Sequence, residues 1–144
     1  MKKIFILKGK GNTAKTTKIN KIAQWIIDTY HCPNTIGLNT TDFEIDTLGV
    51  LNIGKLSIGI NSSGDNLYEV QKIKELKGDE DNFPDIIICA CRTKGAGFRY
   101  IRDNFNYSTG WLSVFINVEE FISTDIKSQT IRDSRIDDEL KTWL

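Results

Sequence analysis

Hydrophobic residues along the chain form short continuous runs and one clear helical repeat. The continuous runs at residues 3–8 and 85–91 predict buried strands. After the first run, apolar residues spaced three and four apart predict an amphipathic helix with one buried face. These residues are Ile19, Ile22, Ala23, Ile26, Ile27 and Tyr30. The chain therefore opens with a strand, a glycine-containing loop and a helix.

Weaker patterns predict the remaining elements. They are a strand at 35–39, a hairpin or bent strand at 50–60 around Gly54, a helix to about Lys77, a strand at 111–117 and a C-terminal helix at 122–144 with a break near Asp133. Strands that alternate with helices are typical of a parallel sheet covered on both faces. We expect a single α/β domain over residues 1–144, built as a three-layer sandwich with a mostly parallel sheet.

Composition and charge exclude several classes of protein. The 144 residues are 40% hydrophobic, and 19 basic residues balance 19 acidic residues. This balance gives no overall attraction to nucleic acid, so nucleic-acid binding is not expected. No apolar run approaches the roughly 18–20 residues of a membrane span, and the N-terminal run is too short for a signal peptide. We therefore expect a cytoplasmic protein with no membrane partner.

The loop between the first strand and the first helix carries the strongest motif. It reads Gly9-Lys10-Gly11-Asn12-Thr13-Ala14-Lys15-Thr16-Thr17, which matches G-x-x-x-x-G-K-[ST] except at Ala14. Such spacing curls successive main-chain N–H groups around phosphates at the positive end of a helix. Lys15 would reach the β- and γ-oxygens, and the Thr16 hydroxyl would bind Mg²⁺. If residue 14 needs a positive φ, the Cβ of Ala14 costs about 1 kcal/mol.

This segment resembles the Walker A loop of P-loop NTPases. The resemblance covers the first 30 or so residues and implies a P-loop NTPase-like fold that binds ATP or GTP with Mg²⁺ through residues 9–17. The loop is also similar to the deviant Walker A of partition and division-site ATPases, in which the early lysine, here Lys10, contacts the nucleotide of a partner in a homodimer. That family carries an aspartate at the strand end where this chain has Cys89.

Phosphate chemistry needs a carboxylate at the carboxyl end of a strand beside the loop. Asp42 follows the predicted second strand, and Asp65 follows the third. We expect either to be catalytic or to hold Mg²⁺. Resemblance to small metabolite kinases implies that Asp42 handles the acceptor hydroxyl, with Glu44 and Asp46 as competitors. Asp65 is equally well explained as the N-cap of the helix that follows it.

Three of the five arginines fall between residues 92 and 102, beyond the fourth strand. Kinases commonly place arginines on a mobile lid that neutralises the transferred phosphoryl group, and this resemblance makes Arg99 a candidate catalytic residue. The alternative is an ordinary surface helix. Cys89 and Cys91 could bind a metal, but without a second cysteine pair or a nearby histidine they are better explained as buried small residues.

Three functions follow from these residues. The first is a Mg²⁺-dependent phosphotransferase or NTPase that binds ATP or GTP. The second is a catalytically weak nucleotide switch or adaptor that dimerises or binds a protein partner according to nucleotide state. The third, a DNA-associated partition-type ATPase, depends on Lys10 alone. No motif for the choice of base is present.

Overall fold

The computed structural model describes residues 1–11, 13–120 and 124–143. Its elements are β1 (Lys2–Gly9), α1 (Lys15–Tyr30), β2 (Leu48–Ile53), β3 (Leu56–Asn61), α2 (Leu67–Gln71), β4 (Ile86–Cys91), α3 (Ala96–Asn104), β5 (Trp111–Val118) and α4 (Ile126–Trp143). A 3₁₀ helix at Lys72–Leu76 continues α2. The predicted strands at 3–8, 85–91 and 111–117 and the first helix are confirmed.

The five strands form one mixed sheet in the order β2-β3-β4-β1-β5. β1 pairs in parallel with β4 on one side and β5 on the other, and β3 pairs in parallel with β4. β2 alone runs antiparallel, because it forms a hairpin with β3. Gly54 turns this hairpin with a φ of 59°, a conformation that glycine adopts without a Cβ penalty. The mostly parallel α/β sheet is therefore confirmed.

Helices cover both faces of the sheet. One hydrophobic cluster joins Phe5 and Leu7 of β1 to Ile22 of α1 and Ile136 of α4. The second cluster lies on the opposite face, where Ile6 packs with residues of α2, α3 and the 3₁₀ helix. Because side chains alternate across a strand, the fully buried run of β1 supplies both clusters.

The predicted strand at 35–39 is wrong, since this segment is a loop. The Asn34 side chain accepts a hydrogen bond from the Leu38 amide and donates one to the Leu38 carbonyl, both at 2.9 Å. These bonds close the segment on itself, and Gly37 adopts a φ of 68°. Ile36 and Leu38 are buried from within the loop, which accounts for the strand-like pattern.

The predicted break in the C-terminal helix is also wrong, because α4 runs without interruption through Asp133. Ile136 and Leu140 on the following turns are buried, and the Asp133 carboxylate pairs with Lys18 of α1 at 3.0 Å. These contacts stabilise the helix where its sequence is most polar. Residues 122, 123 and 144 of the predicted helix lie outside the described residues.

Candidate functional site

The polar segments of the chain converge at one edge of the sheet. Since β1, β3, β4 and β5 are parallel, their carboxyl ends meet at this edge. The antiparallel direction of β2 brings its beginning, rather than its end, to the same place. The loop after β1, the turn after β3 and the segment before β2 are therefore neighbours. The Ser62 amide and the Thr47 carbonyl join the last two by a 3.0 Å hydrogen bond.

The loop from β1 to α1 presents the bare start of a helix. Ala14, the N-cap residue, has φ 59° and ψ 36°, so the expected cost of its Cβ applies. The side chain of Ala14 gives α1 no capping hydrogen bond. Among the described residues, no group accepts a hydrogen bond from the amides of Lys15 or Thr16. These amides and the positive end of the helix dipole are available to an anion.

Lys15 is buried inside the loop. Its ammonium group donates hydrogen bonds to the carbonyls of Gly9 at 2.9 Å and Lys10 at 2.8 Å, with the Thr13 hydroxyl at 3.4 Å. Burial lowers the pKa of Lys15, and the charge of Asp65 opposes this shift while that of Arg92 adds to it. The ammonium therefore points into the loop, where a phosphate would exchange with one of these acceptors.

The Thr16 hydroxyl lies next to a carboxylate from the segment that precedes β2. Its hydroxyl oxygen lies 2.9 Å from the Ser62 carbonyl and 3.2 Å from Asp46 Oδ1. Asn20 of α1 holds the segment that carries Asp46, because its amide donates to the carbonyls of Phe43 and Ile45, both at 2.7 Å. The hydroxyl and the carboxylate are hard oxygen ligands of the kind that Mg²⁺ prefers.

A cleft of about 390 Å³ joins these groups. Its lining residues are Thr13, Ala14, Lys15, Thr16, Thr17, Glu44, Ser62, Gly64 and Asp65. Glu44 and Asp65 belong to this lining, whereas Asp46 does not line the cleft and reaches it through its contact with Thr16. A polyanion would meet repulsion from these three carboxylates unless a cation accompanied it.

Most residues predicted from the motif lie at the cleft, but their roles differ. Residues 13–17 line it, whereas Gly9 and Lys10 contribute the carbonyls that hold Lys15. Gly11 packs against the guanidinium of Arg92. The ammonium of Lys10 pairs with Glu120 at 3.6 Å, where both side chains are exposed. Asn12 lies outside the described residues.

The other predicted residues are placed differently from their expectations. Asp42 is in a turn, where its carboxylate accepts a hydrogen bond from the Glu44 amide at 3.0 Å, and it does not line the cleft. Arg99 is exposed in α3 and also lies apart from the lining residues. Asp65 does line the cleft, but the N-cap of α2 is Asn66, so that explanation of Asp65 is wrong.

No protein-family model, curated protein or solved structure matches the chain. The functional argument therefore depends on the geometry of the cleft and on the chemistry of its residues.

Sequence reasoning did not select Arg92 or Ser62, and it named Asp46 only as a competitor of Asp42. The direction of the predicted hairpin is the signal that could have favoured Asp46, because an antiparallel β2 must start at the edge where β3 ends. Arg92 belonged to the predicted arginine cluster, but its position directly after β4 separates it from Arg99.

A second cleft, also of about 390 Å³, lies between α1 and α4 and shares Ala14 and Thr17 with the first. Its apolar residues are Ile22, Ile136 and Leu140, and Asp133 and Asp137 contribute carboxylates. The buried Lys18 ammonium lies beside it and bridges the Thr13 carbonyl at 2.9 Å and Asp133 at 3.0 Å. The start of α1 is thus tied to α4.

The two cysteines of β4 are free and fully buried, which confirms their interpretation as small core residues. Burial raises the pKa of the Cys91 thiol to about 12 and that of Cys89 well above its usual value. Within the described chain, no cluster of three or more histidine, cysteine or acidic residues could hold a metal. None of the helices in that part of the chain is long and apolar enough to span a membrane.

Proposed function

We propose that the protein binds a nucleoside triphosphate with Mg²⁺ and transfers or hydrolyses its terminal phosphoryl group. The observation that carries this proposal is the buried Lys15 ammonium, held inside the loop next to the uncapped start of α1. Burial of a lysine charge is costly, and a phosphate-binding role explains why a charge occupies this position. We infer that β1, the loop and α1 form the phosphate-binding unit of a P-loop NTPase-like fold.

The residues at the cleft fit Mg²⁺. The Thr16 hydroxyl and the Asp46 carboxylate lie 3.2 Å apart, and both are oxygen ligands. A metal bound by one or two protein oxygens completes its shell with water and phosphate oxygens. The bound Mg²⁺ would supply charge neutralisation between the phosphates and the acidic residues of the cleft. Asp65 lines the same cleft.

The chain's own groups account for the remaining steps. The amides at the start of α1 would orient the phosphates, and the Lys15 ammonium would stabilise charge that develops on the β,γ-bridge. Glu44 and Asp65 are the carboxylates that line the cleft, and Asp65 pairs with Arg92. No described contact involves the Glu44 carboxylate, so we assign to it the acceptance of a proton from water or an acceptor hydroxyl. This assignment replaces Asp42, which does not line the cleft.

The second cleft supports a nucleoside triphosphate over an inorganic polyphosphate. It adjoins the phosphate cleft at Ala14 and Thr17, and it is wide enough to be a candidate position for the nucleoside. Ile22, Ile136 and Leu140 are at most 1% exposed, so a base would lie mainly against the exposed lining residues Lys21, Thr130 and Ser134. Ser134→Trp would fill this cleft, whereas Asp138→Trp on the same helix lies outside its lining. We expect Ser134→Trp to weaken ATP binding but not binding of inorganic tripolyphosphate. Equal loss of both ligands would contradict the assignment of the nucleoside to this cleft.

The decisive experiment measures ligand-dependent stability. Saturating MgATP or MgGTP, at 100 times the dissociation constant, should add about 2.7 kcal/mol to the free energy of unfolding. Lys15→Met should remove this gain, and Lys94→Ala, in the segment between β4 and α3, should retain it. The melting temperature without ligand shows whether each variant is folded. No gain with any triphosphate, or an unchanged gain in a folded Lys15→Met variant, would contradict the proposal.

The switch or adaptor remains the second candidate because of one observation. The Lys15 ammonium already has three acceptors in the loop, so ligand binding must rearrange the loop. Turnover separates the two candidates. In an enzyme, Glu44→Gln should abolish phosphate release at unchanged nucleotide affinity, and Asp42→Asn should retain activity. A wild-type protein that binds nucleotide without turnover favours the switch.

A further inference from the structure

Arg92 lies directly after β4, at the end of the strand that pairs with β1. Its guanidinium packs on Gly11 of the phosphate-binding loop. A Cβ on Gly11 would lie 3.0 Å from Nη2 and 3.3 Å from Cζ of Arg92. The absence of a side chain at residue 11 therefore lets the guanidinium lie against the backbone of the loop.

Asp65 is the acidic partner of the same guanidinium. Gly64 allows this, because a Cβ there would lie only 2.2 Å from the Ala90 carbonyl, so that the turn after β3 packs directly on β4. Arg92 Nη2 is 4.0 Å from Asp65 Oδ1, and the two side chains are 52% and 69% exposed. A pair at this distance and exposure contributes little to stability.

The charged groups around Arg92 favour a role in phosphate binding in addition to its ion pair with Asp65. Arg92 is not a lining residue of the cleft, but it lies between Gly11 of the loop that holds Lys15 and Asp65, which lines the cleft. The charges of Asp65 and Arg92 act on Lys15 in opposite directions, which agrees with this placement. A guanidinium presents a planar set of donors that matches phosphate oxygens, and phosphate forms stronger charge-assisted hydrogen bonds than a distant carboxylate does.

We propose that Arg92 binds a phosphoryl oxygen of the triphosphate and that Asp65 is its counter-ion before the triphosphate binds, not a ligand of Mg²⁺. On binding, Arg92 exchanges the carboxylate for phosphate while Gly11 keeps the loop open to it. This inference rests on the proposed function.

The test compares affinities for ATP and ADP, with and without Mg²⁺, by calorimetry. We expect Arg92→Ala to weaken ATP binding about tenfold and ADP binding less, with Arg92→Lys between it and the wild type. Asp65→Asn should strengthen ATP binding several-fold, since it frees Arg92 and removes a negative charge. ATP binding by Asp65→Asn should still depend on Mg²⁺. Arg102→Ala is the matched control, because Arg102 is 54% exposed and pairs with Asp103 on the surface of α3.

Two results would overturn the inference. If Asp65→Asn loses Mg²⁺-dependent binding, Asp65 is a metal ligand. If Arg92→Ala binds both nucleotides like Arg102→Ala, Arg92 is only a surface ion pair. Failure of the proposed function looks different, since Lys15→Met would then bind ATP as well as the wild type does. A wild-type protein that binds no triphosphate would overturn both.

Discussion

The two strand-to-helix junctions at the centre of the sheet have a similar backbone arrangement but different surroundings. β1 leads into α1 and the adjacent parallel β4 leads into α3, and the N-cap residue of neither helix supplies a side-chain hydrogen bond. These N-cap residues, Ala14 and Gly95, both have positive φ values of 59° and 104°. In the described part of the two junctions, a buried lysine is found only at the first, which also lines the phosphate cleft. A bare helix start is therefore common to both junctions and does not by itself define a site.

The two junctions differ because different segments of the chain pack beside them. On the side of α1, Asn20 fixes the segment that brings Glu44 and Asp46 to the loop. On the other side, α3 packs closely on α2, where a Cβ on Gly97 would lie 2.9 Å from Val70 Cγ2. Acidic groups thus meet the first junction, whereas the second packs α3 on α2 and directs Arg92 towards Gly11 of the first.

Replacing a glycine by alanine at each junction should give the largest difference between them in stability and in ATP binding. In Gly9→Ala the new Cβ would lie 2.9 Å from the Val118 carbonyl, so we expect a loss of about 3 kcal/mol in unfolding free energy and of ATP binding. In Gly95→Ala nothing lies within 4 Å, and backbone strain alone should cost about 1–2 kcal/mol. Urea denaturation measures both. If Gly95→Ala also lost ATP binding, the two junctions would not be functionally distinct.

The pH dependence of ATP affinity should show whether the buried Lys15 ammonium contacts the ligand. Because burial lowers the pKa of Lys15 below 10.5, its ammonium loses its proton before an exposed lysine does. We expect ATP affinity to fall about tenfold as pH rises through this lowered value. The unfolded chain binds more protons in the same window, so the stability contribution of Lys15 rises with pH there.

The control for the pH experiment is Lys15→Arg, whose guanidinium stays charged. Its ATP affinity should be nearly independent of pH over the same range, and Lys15→Met should lose the rise in stability. A wild-type affinity that does not change with pH would show that the Lys15 ammonium makes no contact with the ligand.

The smallest expected effect has opposite signs at the two helix starts. Ala14→Gly removes a Cβ from a left-handed residue and should stabilise the fold by about 1 kcal/mol. Ala96→Gly, in the first turn of α3, should destabilise it by about 0.5 kcal/mol because glycine weakens a helix. Thermal unfolding of the two variants gives the comparison directly. A destabilised Ala14→Gly variant would mean that the Ala14 methyl group makes contacts that outweigh its strain.

Much of the fold could be predicted because its signals are local. The continuous apolar runs of β1 and β4 and the periodicity of α1 depend on neighbouring residues only, as does the spacing from Gly9 to Thr16. The loop at 35–39 could not, since the Asn34 side chain, and not the hydrophobic pattern, decides its conformation. The C-terminal helix persists through Asp133 because of a partner on α1.

The loop side of the candidate site was the more predictable one. Its loop is contiguous in sequence, so Lys15 and Thr16 follow from the motif. Asp65, which was predicted from the end of the third strand, also lines the cleft. Asp46 depends on the direction of β2, and Arg92 depends on the pairing of β4 with β1. No local pattern contains that information, and the sequence alone therefore favours Asp42 and Arg99, which do not line the cleft.

The turn of the antiparallel hairpin is a suitable site for attaching a label. Its turn at Gly54 and Lys55 is exposed and lies at the end of the sheet remote from the cleft. A fluorophore or a short peptide tag attached at Lys55 would report on the domain without touching the ligand. The same position suits immobilisation on a sensor surface, with the mouth of the cleft directed towards the solution.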